Sequence, residues 1–387
     1  VGVEEEIKGR KEINVILKDN QSELGEVVVV AYGHQKKESM VSSITTINPK
    51  ELKGPTSNLT TMLAGRLSGV IAYQRSGEPG SDNAQFFIRG ITSFGSGKVD
   101  PLILIDGMES TPTALARLQP DDVSGFSVLK DAAASSLYGA QGANGVVLVT
   151  TKTGSDGKTK FNFRLENSIS TNTQNFKLAD NITYMKLANE AVLTRDPLGD
   201  QPYQQNKIDH TIAGDNPLLY PNNDWIDLMI KDYTMNQRFN FNMNGGGKAA
   251  QYYLSGTFNQ DNGILKTNKQ NSFNNNINLK SYEIRSNVNV KLTPTTDGAV
   301  KTSGSFDDYS GPIGGGGAIF NSTLTSNPVL FPAIFPGSDL PRVNHPLFGN
   351  ALLAGSSPGE DKFYNNPYAS MVSGFQQYNR STLNVQL

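Results

Sequence analysis

Side chains able to do chemistry are few and scattered in this 387-residue chain. There is no cysteine, which removes disulfides, thiolate metal sites and a thiol nucleophile. His34, His210 and His345 lie far apart, so neither a His-rich metal centre nor His-based catalysis is indicated. Acidic residues are abundant, yet no pair stands in a context that marks a glycosidase acid and nucleophile. Gly139, Gly142 and Gly145 superficially look like a phosphate-binding loop. They lack the strand, turn, long helix and downstream acid that such a loop requires. Two charges stand out, Arg89 and Asp106. Each ends an apolar run next to a glycine, Gly90 or Gly107, and a buried charge has to be paired. Tyr220, Trp225, Tyr309, Phe331, Phe335 and Tyr364 lie in or beside long irregular segments. Such aromatics stack on sugar rings or bind peptides, or else pack a loop or stand in an aromatic girdle. No catalytic residue, metal or cofactor is expected.

The elements that must position these residues differ along the chain. Lys and Arg total 34 against 36 Asp and Glu, a net charge of −2, so nothing draws the chain to nucleic acid. Hydrophobic content is 37% with 38 Gly, which implies many turns and a polar surface. Val1–Arg10 has no basic and apolar leader pattern, the first residue is not Met, and the last residues read as a strand cut short. Both ends are expected to be missing. Ile13, Val15 and Leu17 share one face of a strand. Val27–Val30 favours extended backbone, and a polar stretch follows to Ser39. Ser57–Leu67 reads as a short helix that Asn58 caps. Phe86–Ile88 and Leu102–Ile105 read as strands, the second ending in an Asp-Gly turn at Asp106 and Gly107. Ala132–Tyr138 reads as one or two helical turns, and Val146–Thr151 as a buried strand. Residues 40–154 are expected to form a compact α+β domain.

Beyond Gly154 the apolar residues alternate with polar ones. Phe161, Phe163, Leu165 and Ile169 do so, as do Phe239, Phe241 and Met243 between asparagines. Tyr252, Leu254 and Phe258 follow, then Ile277 and Leu279, then Val288, Val290 and Leu292. Strands of roughly ten residues, apolar on one side and polar on the other, fit an outer-membrane barrel or a soluble sandwich with one wet face. Loop lengths favour the barrel. Gly245–Gly247 is a tight turn, whereas about sixty residues precede Met235 and another long segment runs from Gly311 to Gly374. About seven strands are counted. Gly314–Gly317 is expected to be a flexible part of an external loop, or a hinge.

Residues 24–154 resemble the TonB box and plug domain of SusC/RagA-type TonB-dependent outer-membrane transporters of Bacteroidetes. The resemblance rests on Glu26-Val27-Val28-Val29-Val30-Ala31-Tyr32-Gly33, Leu63–Val70, Ile88-Arg89-Gly90 and Pro101–Gly107. Above all it rests on Val128–Val146, with Lys130, Asp131, Tyr138, Gly139, Gly142, Asn144 and Gly145. Residues 223–227 and 252–256 fit the start of the family's barrel. The implied division is the end of a carboxypeptidase-regulatory-like domain over 1–23, the TonB box and linker over 24–40, the plug over 41–154, and the first part of the barrel over 155–387. The implied fold is an α+β plug inside a transmembrane antiparallel β-barrel of about 22 strands.

The implied function is TonB-dependent import of a large nutrient across the outer membrane, an oligosaccharide first and an oligopeptide second. A SusD-like surface lipoprotein would cap the barrel, and two such pairs could form a dimer. TonB, with its inner-membrane energising proteins, would pull on Glu26–Val30 by strand addition. No bond in the cargo is made or broken. Arg89 is expected to contribute either a polar contact to the barrel wall or a local ion pair. A siderophore or cobalamin receptor would lack the lipoprotein. A non-transporting surface-binding β protein would have no use for the plug signature.

Overall fold

The computed structural model describes residues 27–30, 33–36, 44–54, 56–90, 100–131, 135–173, 177–267, 271–343, 345–353 and 362–387. The expected strand at 13–17, the 1–23 domain, Glu26 and Ala132–Ala134 lie outside these residues.

The short strands come first. β1 (Val27–Val30) pairs antiparallel with β2 (Gly33–Lys36), so part of the polar linker folds back on the valine run. The plug-like region contributes β3 (Ile44–Ile47), β4 (Val70–Gln74), β5 (Ala84–Ile88), β6 (Leu102–Ile105), β7 (Met108–Glu109), β8 (Val123–Leu129) and β9 (Val146–Thr151). Five of them form one sheet in the order β3-β8-β9-β6-β7, with β6 and β9 parallel, while β4 and β5 form a separate hairpin. Leu52, Leu59, Leu63, Phe86, Ile103, Leu115, Phe126 and Val147 pack into the core beneath this sheet.

Local chemistry explains the turns. Asp106 (φ 52) and Gly107 (φ 86) are both left-handed, as a two-residue hairpin between paired Ile105 and Met108 requires. The Asn58 side chain caps the helical turn by accepting from the Thr60 amide at 3.0 Å. That turn is a 3-10 helix over Leu59–Leu63 only, shorter than the expected Ser57–Leu67. Gly65 (φ 72) and Gly69 (φ 74) take left-handed backbone and end it. The expected turns at Ala132–Tyr138 become a 3-10 stretch, Ser136–Gly142, broken at Gly139 (φ 56, ψ −142).

The rest of the chain is one antiparallel sheet with irregular outer segments. β10 (Gly157–Thr171), β11 (Tyr233–Gly246), β12 (Ala250–Asn262), β13 (Asn278–Thr293) and β14 (Thr296–Pro312) pair in sequence order. After the short pair β15 (Ala351–Leu353) and β16 (Lys362–Tyr364), β17 (Phe375–Gln386) adds to β14. The described sheet thus has six strands, against about seven counted from the sequence. The short pair lies within the second long segment and does not join the wall. The turns after β11 and β13 are tight, at Gly247–Ala249 and Pro294–Thr295. The long connections all leave from the opposite end. They are folded rather than loose, with helices Asn181–Leu193, Gln205–Ala213, Trp225–Met229, Gly315–Thr325 and Pro367–Val372.

Which side of the wall is buried settles its environment. On β12 the buried residues are Tyr253, Ser255, Thr257, Asn259 and Asp261, every second position and all polar. The opposite face carries Tyr252, Leu254 and Phe258, and elsewhere on the wall Phe161, Phe163, Leu165, Ile169, Ile284, Leu383 and Val385 are exposed. A soluble sandwich has the reverse arrangement. A polar inside and an apolar outside is the arrangement of a wall facing lipid. Among the described residues no helix is long and apolar enough to cross a membrane.

Gly145 tests the packing. It sits at φ 89, and a Cβ there would lie 2.6 Å from Ile88 Cδ1 and 3.1 Å from the Leu129 carbonyl. Gly145→Ala is therefore expected to destabilise the plug by about 2 kcal/mol or more. Gly107→Ala, with no atom of the described residues within 4 Å of its Cβ, should cost only about 1 kcal/mol, from backbone strain. Denaturant-dependent protease protection of the plug in the full-length protein ranks the two, and an equal ranking would refute the packing argument.

Candidate functional site between plug and wall

The plug sheet brings three acids to one end. Asp106 follows the last residue of β6, Asp121 and Asp122 precede β8, and Thr151 ends β9, pairing with Val123. The topology fixes this, since β6 and β9 run one way and β8 the other. That end of the sheet presses against the polar face of the wall.

Each acid finds partners there. Asp122 is 2% exposed and accepts from the Tyr253 hydroxyl at 2.8 Å and the Ser255 hydroxyl at 2.8 Å. Arg285 lies 3.8 Å from it. Burial pushes the Asp122 carboxyl up, and Arg285 with the two hydroxyls offsets this only in part. Asp121 accepts from Arg164 at 2.7 Å and pairs with Lys53. Burial raises this carboxyl as well, but the hydrogen bonds from Lys53 and Arg164 hold it below its usual value. Asp106 accepts from the Thr151 amide (2.9 Å) and hydroxyl (2.6 Å), and faces Lys301 at 3.3 Å and Arg285 at 3.9 Å.

Further contacts extend the seam. Arg117 donates to Asp307 at 3.3 Å, both buried. Ser57 donates to Asp261 at 2.5 Å, Arg238 to the Gly54 carbonyl at 3.2 Å, and Asn287 to Thr151 Oγ1 and the Lys152 carbonyl at 2.9 and 2.7 Å. A cavity of about 450 Å³ runs along Asp106, Arg117, Asp122, Arg285, Lys301 and Asp307.

The residues singled out from the sequence divide between this seam and the plug interior. Asp106 reaches the wall. Arg89 does not reach the described strands. It is exposed, at φ 59 beside Gly90 (φ 102), and its amide donates to the Gly69 carbonyl at 2.8 Å. Among the described residues a plug arginine that does meet the wall is Arg117, through Asp307. Lys130 donates to Ser68, and burial together with the nearby Arg89 charge lowers it. The Asp131 carbonyl accepts from the Ser135 amide at 3.0 Å. Tyr138 packs against the apolar cluster formed by Leu102, Leu104, Leu129, Val146 and Leu148. Gly142 has the Ser135 carbonyl 2.8 Å from where a Cβ would stand. With half-buried Asn144 and buried Gly145, these residues build the connection from β8 to β9. The most specific stretch of the sequence is therefore a packing device.

The aromatic candidates serve mainly to pack the outer segments. Trp225 is 3% exposed, donates to the Asn327 carbonyl at 3.2 Å and lies 6.0 Å from the Phe331 ring, inside an apolar cluster with Met229, Ile319 and Tyr368. Phe335 bridges to Leu347 through both backbone groups, at 2.7 and 3.0 Å. Tyr220 stacks on His210 at 4.4 Å. Tyr309 is buried on the lumen side, stacked on Tyr378 at 4.7 Å.

An outer cavity of about 600 Å³ lies between the β4–β5 loop, the upper ends of β10–β12 and the start of helix Gly315–Thr325. Arg75, Glu78, Asp82, Arg238 and Asp261 line it. Asp82 Oδ1 and Arg238 Nε are buried and have no hydrogen-bond partner among the described residues. Sequence reasoning missed these residues and the Asp121–Asp122 pair. The one signal available was two adjacent acids leading straight into an apolar strand.

A folded plug fastened to the polar inner face of a lipid-facing wall defines a TonB-dependent receptor, and residues 36–146 match the TonB-dependent Receptor Plug Domain. The TonB-dependent receptor SusC of Bacteroides thetaiotaomicron is 32% identical over 301 residues, covering 74% of this chain and 28% of that protein. The TonB-dependent receptor P26 of Formosa agariphila is 29% identical, covering 82% and 30%. The chain thus spans less than a third of these relatives. The RagAB peptide importer in its open-open state shares the fold, with a TM-score of 0.63 at 21% identity over 84% of this chain and 39% of that one. Its closed-closed state gives a TM-score of 0.56 at 25% identity, over 69% and 31%. The chain belongs to the SusC/RagA-type TonB-dependent receptors, which are outer-membrane β-barrel proteins.

Asp121 makes the seam sensitive to acid. Its lowered pKa means that its contribution is complete above the ordinary aspartate range and is lost as pH falls through the lowered value. Denaturant release of the plug from the full-length protein should therefore become easier below about pH 4. Asp121→Asn should release early at neutral pH, by about 2 kcal/mol, and lose part of that acid dependence. Identical pH profiles for the two proteins would refute the assignment.

Proposed function

We propose that this chain supplies the plug and opening wall of an importer that carries a large hydrophilic nutrient through the outer membrane under TonB power. The supporting observation is the chemistry of the seam. Plug and wall meet through hydroxyls, amides and charges, such as Asp122 with Tyr253 and Ser255. Each such bond has a net worth of about 1 kcal/mol between neutral groups and about 1.5–3 kcal/mol where a charge takes part, because water replaces it when it opens. A dry apolar interface would cost roughly 25 cal/mol for every Å² exposed. The seam holds the plug at rest and lets a pull move it.

In this reading residues 41–154 act as the plug, 155–387 as wall and outer segments, and 24–40 as TonB box and linker. A TonB strand adds to the edge of β1 that β2 leaves free among the described residues. A SusD-like surface lipoprotein closes over the outer segments 172–232 and 313–374. The cargo is an oligosaccharide, whose hydroxyls both donate and accept and so suit Asp82 Oδ1 beside Arg238 Nε in the outer cavity. An oligopeptide is the second reading, supported by the likeness to the RagAB peptide importer.

Pull-down of the full-length protein from native outer membrane should bring a stoichiometric lipoprotein. Recovery alone in mild detergent would favour a siderophore-type receptor. Labelled oligosaccharides and oligopeptides offered to cells then separate the two cargoes. Val29→Pro, which removes a backbone donor and distorts the strand, should abolish energised uptake at unchanged cargo binding. Normal uptake by that variant would refute the TonB-box assignment.

A further inference from the structure

Helix Gly315–Thr325 starts without a cap of its own. Gly314 stands at its N-cap in left-handed backbone (φ 81), Gly315 follows at φ 84, and no local side chain bonds the first turn. The exposed amides of a first turn need acceptors. Here they are met from the plug. Glu78 Oε1 accepts from the Gly316 amide at 3.0 Å, and Glu78 Oε2 accepts from the Gly317 amide at 3.0 Å. The Tyr309 hydroxyl stands 3.4 Å from Oε1. A carboxylate across two amides at the positive end of an eleven-residue helix is a favourable placement.

The surroundings are shaped for this contact. Glu78 lies in the loop between β4 and β5, where its own amide donates to Ser76 Oγ at 3.0 Å and its carbonyl accepts from the Ser81 amide at 2.9 Å. Gly80 brings the loop against the Tyr309–Tyr378 stack, with Tyr378 Oη 3.2 Å from where a Cβ would stand. A Cβ on Gly316 would lie 2.5 Å from Ile277 Cδ1 and 3.3 Å from Glu78 Cδ, so glycine leaves room for the approach and a larger residue would crowd both side chains. Glu78, Gly316 and Gly317 all line the outer cavity, where an entering molecule meets them together.

We propose that Glu78 is a plug-borne cap that makes seating of the plug and ordering of the outer helix a single event. The cap exists only while the β4–β5 loop is in place. A plug that moves leaves the helix start unsatisfied, and a helix that swings away frees the plug loop. Coupling of this kind is reciprocal. Cargo settling in the outer cavity competes for the space of this contact and so acts on both elements at once. That last step rests on the import reading; the coupling itself does not.

Hydrogen exchange on the full-length protein in nanodiscs, without cargo, tests the coupling. Glu78→Ala should speed exchange of residues 315–325 by roughly tenfold, and Glu78→Gln by less, since its one carbonyl still accepts. Gly316→Ala, whose Cβ crowds Ile277 and the Glu78 carboxylate and so weakens the cap, should in turn speed exchange in the 75–82 plug loop. Unchanged helix exchange in folded Glu78→Ala, or an unchanged plug loop in Gly316→Ala, would overturn the proposal. The transport step has its own test. The chain has no cysteine, and among the described residues Gly317 has only Glu78 Oε2 within 4 Å of a Cβ position. A Glu78→Cys/Gly317→Cys pair joined by a short, reducible thiol-to-thiol crosslinker should block uptake and recover it on reduction. Wild-type uptake by the crosslinked pair would show that helix and plug need not part. If the wild-type protein takes up no cargo, the import reading fails while the exchange result still decides the coupling.

Discussion

A carboxylate that has lost almost all contact with water is tolerable only where other groups replace that water, and Asp122 is such a group. Tyr253, Ser255 and Arg285 of the wall supply the replacement. The demand runs both ways. The inner face of a membrane barrel is polar because its outer face must be apolar, and polar groups buried by a plug need polar partners on that plug. The end of the plug sheet that carries Asp106, Asp121 and Asp122 meets this demand, while the apolar side chains of its strands cluster on the two faces of the sheet.

The same chemistry limits how tightly the plug is held. Buried pairs such as Arg117–Asp307 offset their own desolvation and add little net stability while intact. Removing one partner is far more costly, because the other charge stays buried. Intact, the seam is specific without being strong. It fixes the position of the plug through many directional contacts, and water entering along the 450 Å³ cavity can take those contacts over one at a time.

How much of this was legible in the sequence follows from the range of each interaction. Period-two alternation exposed the wall strands, because side-chain direction along a strand is local. The Asp106–Gly107 turn and the Asn58 cap were legible for the same reason. The long segments were read as loops, yet they hold five helices of five to thirteen residues. Their apolar faces pack on one another across large separations, Trp225 with Phe331 and Met185 with Val329. The pairings of the seam could not be read, although Asp106 stood out as a charge in need of a partner. Arg117 and Asp307 are 190 residues apart, Asp122 and Ser255 133, and nothing local to either partner announces the other. Arg89 and Asp106 looked alike, each a charge before a left-handed glycine. The fold separates them: Asp106 follows a strand of the five-stranded sheet and faces the wall, while Arg89 follows a strand of the separate β4–β5 hairpin and is exposed beside Lys130.

Gly314–Gly317 shows how one composition serves opposite ends. Read alone, four glycines mean freedom, and a flexible external loop was the natural expectation. In the fold they give left-handed backbone at Gly314 and Gly315 and a close approach at Gly316, so that a helix can begin against a carboxylate from another part of the chain. The freedom is not lost, because it returns whenever Glu78 withdraws. A helix with its own Ser or Asp cap, like Asn181–Leu193 with Asp180, keeps its first turn whatever its neighbours do. A helix without one depends on its neighbour for order. Placing that dependence between the plug and an outer segment ties the outside of the barrel to its interior through two hydrogen bonds, few enough to exchange within a transport cycle and directional enough to register when they are gone.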